Sequence, residues 1–420
     1  ATSWMAARTI TSTDTEGSVA FTVDFMDLAG NAGTQATATT NSSAVTLDRT
    51  APTITASIVS NNTTTTLAKP GDDVTLTVAS SENLYQPPTV AIDGNSSTVN
   101  PSTQATSYTA TRTMASGDTQ GQVAFQISSI SDLAGNAVPN MTATTDASGV
   151  EFDSVLPTIT NITIASNNNY DNDNSTSLAK AADSVTLTFF TSEIVQTPTS
   201  TIAQGTATVS GAGDAWTSTI AMDASDPDGA VAFTVDFSDL AGNIATQVTS
   251  VTSGGNVTFD NTAPTISNVS IASDNAVTTL AKVGDRVTVS ITSNEDLYDL
   301  SSVQVAGQSV DNALITKNSE TSWSFGYVMT ATDNEGDLGF TVTSNDLTGN
   351  PTTTTVADNG SVLFDRTQPT LTAVSISSNN AYDASLATIG DVITVAFTSS
   401  ETVQDPPTVT IGGTSATESG

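Results

Sequence analysis

Neither cysteine nor histidine occurs anywhere in the chain, and basic residues are scarce, 9 against 43 acidic ones. Without cysteine there can be no disulfide staples, and the chain carries no redox-compartment signal. Without both residues, zinc and copper lose their usual ligands, leaving oxygen donors and hard cations. The common nucleophilic triads are excluded as well. The net charge of −34 argues against nucleic acid, whose phosphates need basic clusters, and against an anionic membrane surface. A strongly acidic surface attracts cations instead. No apolar run reads as a signal peptide, an anchor or a membrane-inserting segment. Aromatics make up only 5% of the chain, yet 37% of residues are apolar and fall in regular alternation, which points to folded β structure rather than disorder. Runs with helical spacing are absent while Thr and Val abound, so no helix is expected.

What the chain does have is repetition. Asp-Leu-Ala-Gly-Asn begins at Asp27, Asp132 and Asp239, and Asp-Leu-Thr-Gly-Asn begins at Asp346, at spacings of 105, 107 and 107 residues. Such a period is too long for a solenoid unit and suits one small β domain. Other landmarks keep the same beat. An Asp four residues before a Pro-Thr step stands at Asp48, Asp153, Asp260 and Asp365. A Glu closes a β-like run at Glu82, Glu193, Glu295 and Glu401. Cutting after the junction Asp divides the chain into a C-terminal half-module 1–48, modules 49–153, 154–260 and 261–365, and an N-terminal half-module 366–420. The chain thus reads as a window on a longer array.

Within one module, Pro52 opens a strand expected to turn Ile54 and Val59 inward, with Ile159, Ile162 and Ile164 as counterparts in the next copy. An alternating strand follows at Val74, Leu76 and Val78, then a short Pro-Thr-Val strand, and then one begun by an aromatic: Trp4, Tyr108, Trp216 or Trp323. That aromatic reads as a core plug between sheets, with a sugar-stacking platform as the alternative. About seven short strands per copy predict an all-β fold of tandem immunoglobulin-like antiparallel β-sandwiches, about 106 residues each.

The junction Asp-x-Thr-x-Pro-Thr, the Ser-Glu after the second strand and the Asp-Leu-Ala-Gly-Asn loop together resemble the bacterial immunoglobulin-like tandem repeats of giant extracellular adhesins and surface-layer-type proteins. The resemblance covers the whole chain. Module 154–260 departs from it, with Val155-Leu156 at its junction and Ala181-Ala182 where other copies have Gly. It implies a cell-surface stalk, fibre or coat, stiffened by Ca²⁺ between modules.

The residues argue for a cation independently. In such a sandwich the second-to-third and sixth-to-seventh loops lie at the pole where the chain enters. Asp48, Glu82 and Asp132 are therefore expected to converge, as are Asp153, Glu193 and Asp239, and Asp260, Glu295 and Asp346. Asp365 and Glu401 begin a fourth set. Three carboxylates close together repel unless a cation sits among them, and Ca²⁺ takes 6–8 oxygens. The preceding module offers Asp118 or the Asn61–Asn62 loop to the second junction, and Asp171 or Asp173 to the third. The alternative is turn chemistry alone, since Asp and Asn cap tight turns through neighbouring amides.

Lys69, Lys180 and Lys282 recur in a Leu-Ala-Lys turn and are expected to be exposed rather than crosslinked. The Asn167–Asn174 segment reads as a solvated insertion. Sequons stand at Asn41, Asn95, Asn161, Asn174, Asn256, Asn268 and Asn359, among others; in so Ser/Thr-rich a chain many arise by chance, and glycosylation is left open. The same acids in every copy argue against an enzyme. The function expected is a non-enzymatic extracellular stalk, fibre or coat whose partners are neighbouring modules and copies of itself. An adhesin whose modules bind glycan or a host surface is the alternative.

Overall fold

A computed structural model describes residues 2–170, 177–357, 360–403 and 407–417. Asp171, Asp173, Asn174 and Asn359 lie outside the described residues. The chain falls into two compact units, one comprising 1–167 and 182–259, the other 168–181 and 260–420.

In the first unit, Ile54–Ser60, Asp73–Ser80, Ser107–Thr113 and Val99–Asn100 form a four-stranded antiparallel sheet in that order. Alternation of Val74, Leu76 and Val78 turns one face inward. That face packs on a second sheet of Asn95–Ser97, Thr89–Ile92 and Phe125–Ser128. Glu151–Phe152 runs antiparallel to Gly121–Gln122 and parallel to Leu67–Ala68, the one parallel pairing of this repeat among the described residues. The unit repeats the plan with Ile159–Ser166, Ser184–Thr191, Ala215–Ala221 and Thr208–Ala212 facing Gly205–Thr206, Thr199–Ile202 and Phe233–Asp236. In the second unit, Ile266–Ser273, Arg286–Ser293, Ser322–Val328 and Ile315–Lys317 face Gln308–Ser309, Leu297–Val305, Phe340–Asp346 and Pro351–Thr354. The chain is therefore an all-β series of small immunoglobulin-like sandwiches. Among the described residues the only helix is the 3₁₀ turn Asn312–Leu314, and none is long and apolar enough to cross a membrane.

The recurring aromatic is a core plug wherever both sheets are present. Tyr108, Trp216 and Trp323 are buried, and the Tyr108 hydroxyl is satisfied by the Ala105 backbone. Trp4 is 85% exposed, and among the described residues no opposing sheet covers it. For the same reason Phe21, Val23, Phe25, Val374 and Ile376 are exposed while their counterparts in whole repeats form the core.

One inward assignment is corrected. Val59 faces out, 47% exposed, while its neighbour Ile58 is buried at 2%. The counterpart strands carry a register shift between Ile159 and Asn161, between Ser267 and Ser270, and between Leu371 and Ala373. Strand Ile54–Ser60 pairs without one. A bulge holds one extra residue, so aligning copies by count alone moves the inferred face by one position and inverts it.

The Gly-to-Ala departure leaves a local cost. Gly71 and Gly284 adopt φ of 95° and 91°, and their N–H groups donate to the Met114 and Met329 carbonyls. Ala182 does the same work at φ 73°, donating to Met222. A Cβ in left-handed backbone costs about 1–2 kcal/mol, offset in part by the greater unfolded-state entropy of Gly. Ala182→Gly should stabilise its repeat by about 0.5–1 kcal/mol, and Gly71→Ala should destabilise its own by at least as much. Urea unfolding of the whole chain, read by Trp216 fluorescence for the first variant and by circular dichroism for the second, checks both signs.

Candidate metal centres at the repeat junctions

Antiparallel pairing delivers the distant acids to one pole. Leu84 bridges Asp132, Val195 bridges Asp239, and Leu297 pairs with Asp346. Each of these partners lies two residues after a Glu of the set, so Glu82, Glu193 and Glu295 are carried beside the Asp loop. The junction Asp arrives from the other side, its N–H bonded to the Leu-Ala strand: Asp153 to Ala68, Asp260 to Ala179 and Asp365 to Ala281. As a result Asp48/Glu82/Asp132, Asp153/Glu193/Asp239 and Asp260/Glu295/Asp346 each offer carboxylate oxygens lying within 4.8 Å of one another. Beside the second set an open cleft of about 490 Å³ is lined by Gln120, Asp153, Glu193 and Leu240.

Turn chemistry and convergence coexist. The junction Asp closes an Asx turn, accepting from the N–H two residues on: Asp48 from Thr50, Asp153 from Val155, Asp260 from Thr262 and Asp365 from Thr367, at 2.9–3.0 Å. The loop Asp is almost wholly buried, at 0% exposure for Asp132 and 1% for Asp239 and Asp346. Its carboxylate is held by the Asn four residues on. Asn136 N–H lies 2.9 Å from Asp132 Oδ1 and Asn136 Nδ2 lies 2.7 Å from Oδ2. Asn243 and Asn350 repeat both bonds to Asp239 and Asp346. The same amide also donates to the linker, Asn136 to Asp48 O at 3.3 Å, Asn243 to Asp153 O at 3.0 Å and Asn350 to Asp260 O at 3.0 Å. This clamp role of the three asparagines was not read from the motif, in which Asn passes for a turn residue.

The electrostatics are those of crowded anions. Burial first, then the charges of Asp48 and Asp132, push the Glu82 carboxyl above its ordinary value, and burial with Asp153 and Asp239 does the same to Glu193. Burial would also raise Asp132, but the hydrogen bonds from Asn136 and the loop backbone outweigh it and hold that carboxyl low. Glu401 is raised by burial, then by Asp365, with Glu335 adding to it. The fourth set therefore gathers Asp365, Glu401 and a residue not foreseen.

That residue defines a further position. Glu335 accepts from Arg366 N–H and the Thr367 hydroxyl, Glu16 accepts from Arg49 N–H and Thr50, and Gln120 accepts from Ser154 N–H. Each precedes a Gly at the repeat period (Glu16-Gly17, Gln120-Gly121, Glu335-Gly336), a signal present in the sequence. Asp118, expected to reach the second junction, is engaged elsewhere by the Arg112 guanidinium at 2.6 Å. Asn62 does reach the following repeat, but as a donor: its Nδ2 lies 2.9 Å from Ala241 O. Of the recurring lysines, Lys282 is exposed as expected, whereas Lys69 and Lys180 are not simple exposed turn residues. Lys180 Nζ donates to Gly349 O at 2.7 Å, and a Cβ on Gly242 would lie 3.3 Å from Lys69 Cε. The segment read as a solvated insertion buries Asn168, whose amide donates to Thr348 O.

No family model matches the chain, and no curated protein matches it in sequence. Among solved structures it is similar to an I-band fragment of titin, at 12% identity over 76% of this chain and 99% of that one, TM-score 0.34. It is also similar to a Ca²⁺-stabilised adhesin that helps an Antarctic bacterium bind ice, at 20% identity over 83% and 82%, TM-score 0.38. A third is the major pilin subunit of Bacillus cereus, at 10% identity over 75% and 99%, TM-score 0.15. Overlaps this loose carry no inference about function.

Two outcomes follow from the junction chemistry. Asn243→Ala strips donors from Asp239 Oδ2 and from the Asp153 carbonyl, and should cost about 1–3 kcal/mol in urea unfolding with chelator present. Glu193, with its folded pKa raised, destabilises the fold once ionised, so without cations stability should fall as pH rises through the range above 4.5, the ordinary glutamate value. Glu193→Gln should flatten that dependence and raise the thermal midpoint in chelator at neutral pH by roughly 2–4 °C.

Proposed function

We propose that the chain is a segment of a non-enzymatic extracellular structural protein, a stalk, fibre or coat of repeated sandwiches whose joints are stiffened by Ca²⁺. The observation that carries this reading is the threefold recurrence of a triad of carboxylates with oxygens within 4.8 Å, each built from a linker and two loops of the repeat that follows. Ionised together, such oxygens repel; a cation among them converts that cost into attraction and ties linker to loop. The donor set suits the ion: all oxygen, no nitrogen or sulfur, with turn carbonyls nearby to extend the shell. Asp48, Glu82, Asp132, Asp153, Glu193, Asp239, Asp260, Glu295 and Asp346 are the ligands we assign. Asp365 and Glu401 are assigned to a fourth site that Glu335 adjoins.

Stiffness is what such a site adds to the linker. Between Asp48 and Thr53 there is neither Gly nor Ser, and Pro52 fixes its own φ. A tether built for motion would carry the opposite composition. The proposed partners are neighbouring repeats and further copies of the chain. The net charge of −34 supports solubility and cation uptake in a Ca²⁺-containing medium outside the cell.

Isothermal titration of the whole chain with Ca²⁺ should show about three sites with dissociation constants of ~10⁻⁴–10⁻³ M, the range of extracellular modules. Uptake at about pH 5 should release protons, since Glu82 and Glu193 are partly protonated there and ligands bind deprotonated. Glu193→Gln, stabilising in chelator, should lose most of the Ca²⁺-induced rise in midpoint. Absence of heat, of proton release and of any midpoint change at millimolar Ca²⁺ would remove the metal from this reading. Light scattering with and without chelator then reports whether copies associate.

A further inference from the structure

The metal triads lie at the entry pole of each repeat. The opposite pole carries another recurring constellation, one that accounts for the lysines and for the buried Asn168. It is a Ser-x-Asn corner: Ser60/Asn62, Ser166/Asn168, Ser273/Asn275 and Ser378/Asn380. In three copies the Asn N–H donates to the Ser Oγ at 3.1 Å, and the Asn amide donates to an Asp after the Leu-Ala turn, Asp72, Asp285 or Asp391, at 2.7–2.8 Å. The same Asp oxygen accepts the N–H of Lys69, Lys282 or Thr388, so the corner is rigid before anything meets it.

Two copies meet the Asp-Leu-x-Gly-Asn loop of the repeat that follows. Asn62 Nδ2 donates to Ala241 O at 2.9 Å, and Lys69 packs its aliphatic stem over Gly242. Asn168 Nδ2 donates to Thr348 O at 3.2 Å, and Lys180 Nζ to Gly349 O at 2.7 Å. Tyr170 adds a lid there. Its ring would lie 2.6 Å from a Cβ on Gly349, it stacks edge-on against Tyr298 at 5.6 Å, and Lys180 Nζ stands 5.5 Å from its centroid. Burial, with Asp299 beside its hydroxyl, pushes the Tyr170 pKa up to about 12, as expected of a phenol enclosed in an acidic contact. The second corner thus recognises two successive peptide carbonyls by an amide and an ammonium, the first recognises one carbonyl by its amide, and both accommodate the loop Gly by its lack of a side chain.

We infer that the Ser-x-Asn corner with its lysine is a latch for the Asp-Leu-x-Gly-Asn loop of the next repeat, a second attachment at each joint that needs no metal. Its occupant is the same loop whose Asp belongs to the carboxylate triad, so one five-residue loop is gripped on its carbonyl side by the preceding repeat and on its carboxylate side by its own. The corner of Asn275 and Lys282 is built identically and meets no such loop among the described residues. There Lys282 turns back to Asp285 at 2.8 Å and is 68% exposed, against 35% for Lys69. It marks the docking face for one more repeat bearing this loop.

The three loop glycines supply an internal control. Gly135, Gly242 and Gly349 have nearly equal φ, 94°, 89° and 86°, so an added Cβ costs each the same backbone strain. A Cβ on Gly135 meets nothing within 4 Å, whereas at Gly349 it meets Tyr170. The test is lysine acetylation of the intact chain in excess EGTA, followed peptide by peptide by mass spectrometry. Lys180 should react roughly tenfold more slowly than Lys282, because its charged hydrogen bond is made in a partly buried contact whereas the Lys282–Asp285 pair is open to solvent and protects little. Gly349→Ala should raise the Lys180 rate toward that of Lys282, and Gly135→Ala should leave it unchanged. Tyr170→Ala, outside any core, should act as Gly349→Ala does and covers the event that the Gly variant misfolds. Equal rates at Lys180 and Lys282 in the parent chain, or a Lys180 rate indifferent to both Gly349→Ala and Tyr170→Ala, would overturn the latch. Because chelator is present throughout, this result stands or falls separately from the Ca²⁺ reading.

Discussion

A buried aspartate whose two oxygens are both held by the asparagine four residues on is the interaction each joint depends on. Asn136, Asn243 and Asn350 use backbone N–H and side-chain amide to hold the loop carboxylate in a site from which water is nearly excluded. A buried charge without such donors would be neutralised. Held in place, it imposes its field on the neighbouring Glu, and the same amide fixes the linker carbonyl just before the turn into the new repeat. Loop, linker and charge are therefore set by one side chain.

Two attachments of opposite electrostatic character then meet at the loop. On one side, acids crowd and repel; on the other, an amide, joined in one copy by an ammonium, binds loop carbonyls. Repetition at a fixed period lets one solution serve every joint, and the departures show where it bends: Ala182 in a glycine's conformation, and Tyr170 after Asn168 where the corners of Asn62 and Asn275 carry Thr64 and Val277.

The convergence of the acids was legible because three separate landmarks shared one period, and antiparallel topology leaves them only one pole to share. The second attachment was not legible. Asn62 and Lys69 stand in a polar turn whose composition predicts solvent exposure, and nothing local says that a loop 179 residues beyond Asn62 will rest there. Glu335 and Gln120 were passed over for the opposite reason: their Glu-Gly and Gln-Gly steps repeat visibly, yet a single acid before a turn glycine reads as turn chemistry until the linker is seen lying across it. The inverted face of Val59 came from a bulge, which changes which residues face inward without changing composition.

Sequence alone determined the period, the all-β character and the acids that share a pole, because alternation and repetition are local or additive properties of a chain. Tertiary structure decided which side chain holds which carbonyl, where one residue slips out of register, and that a turn lysine faces a neighbouring repeat. Those are contacts between segments far apart in the chain, and only the closed sandwich sets their distance.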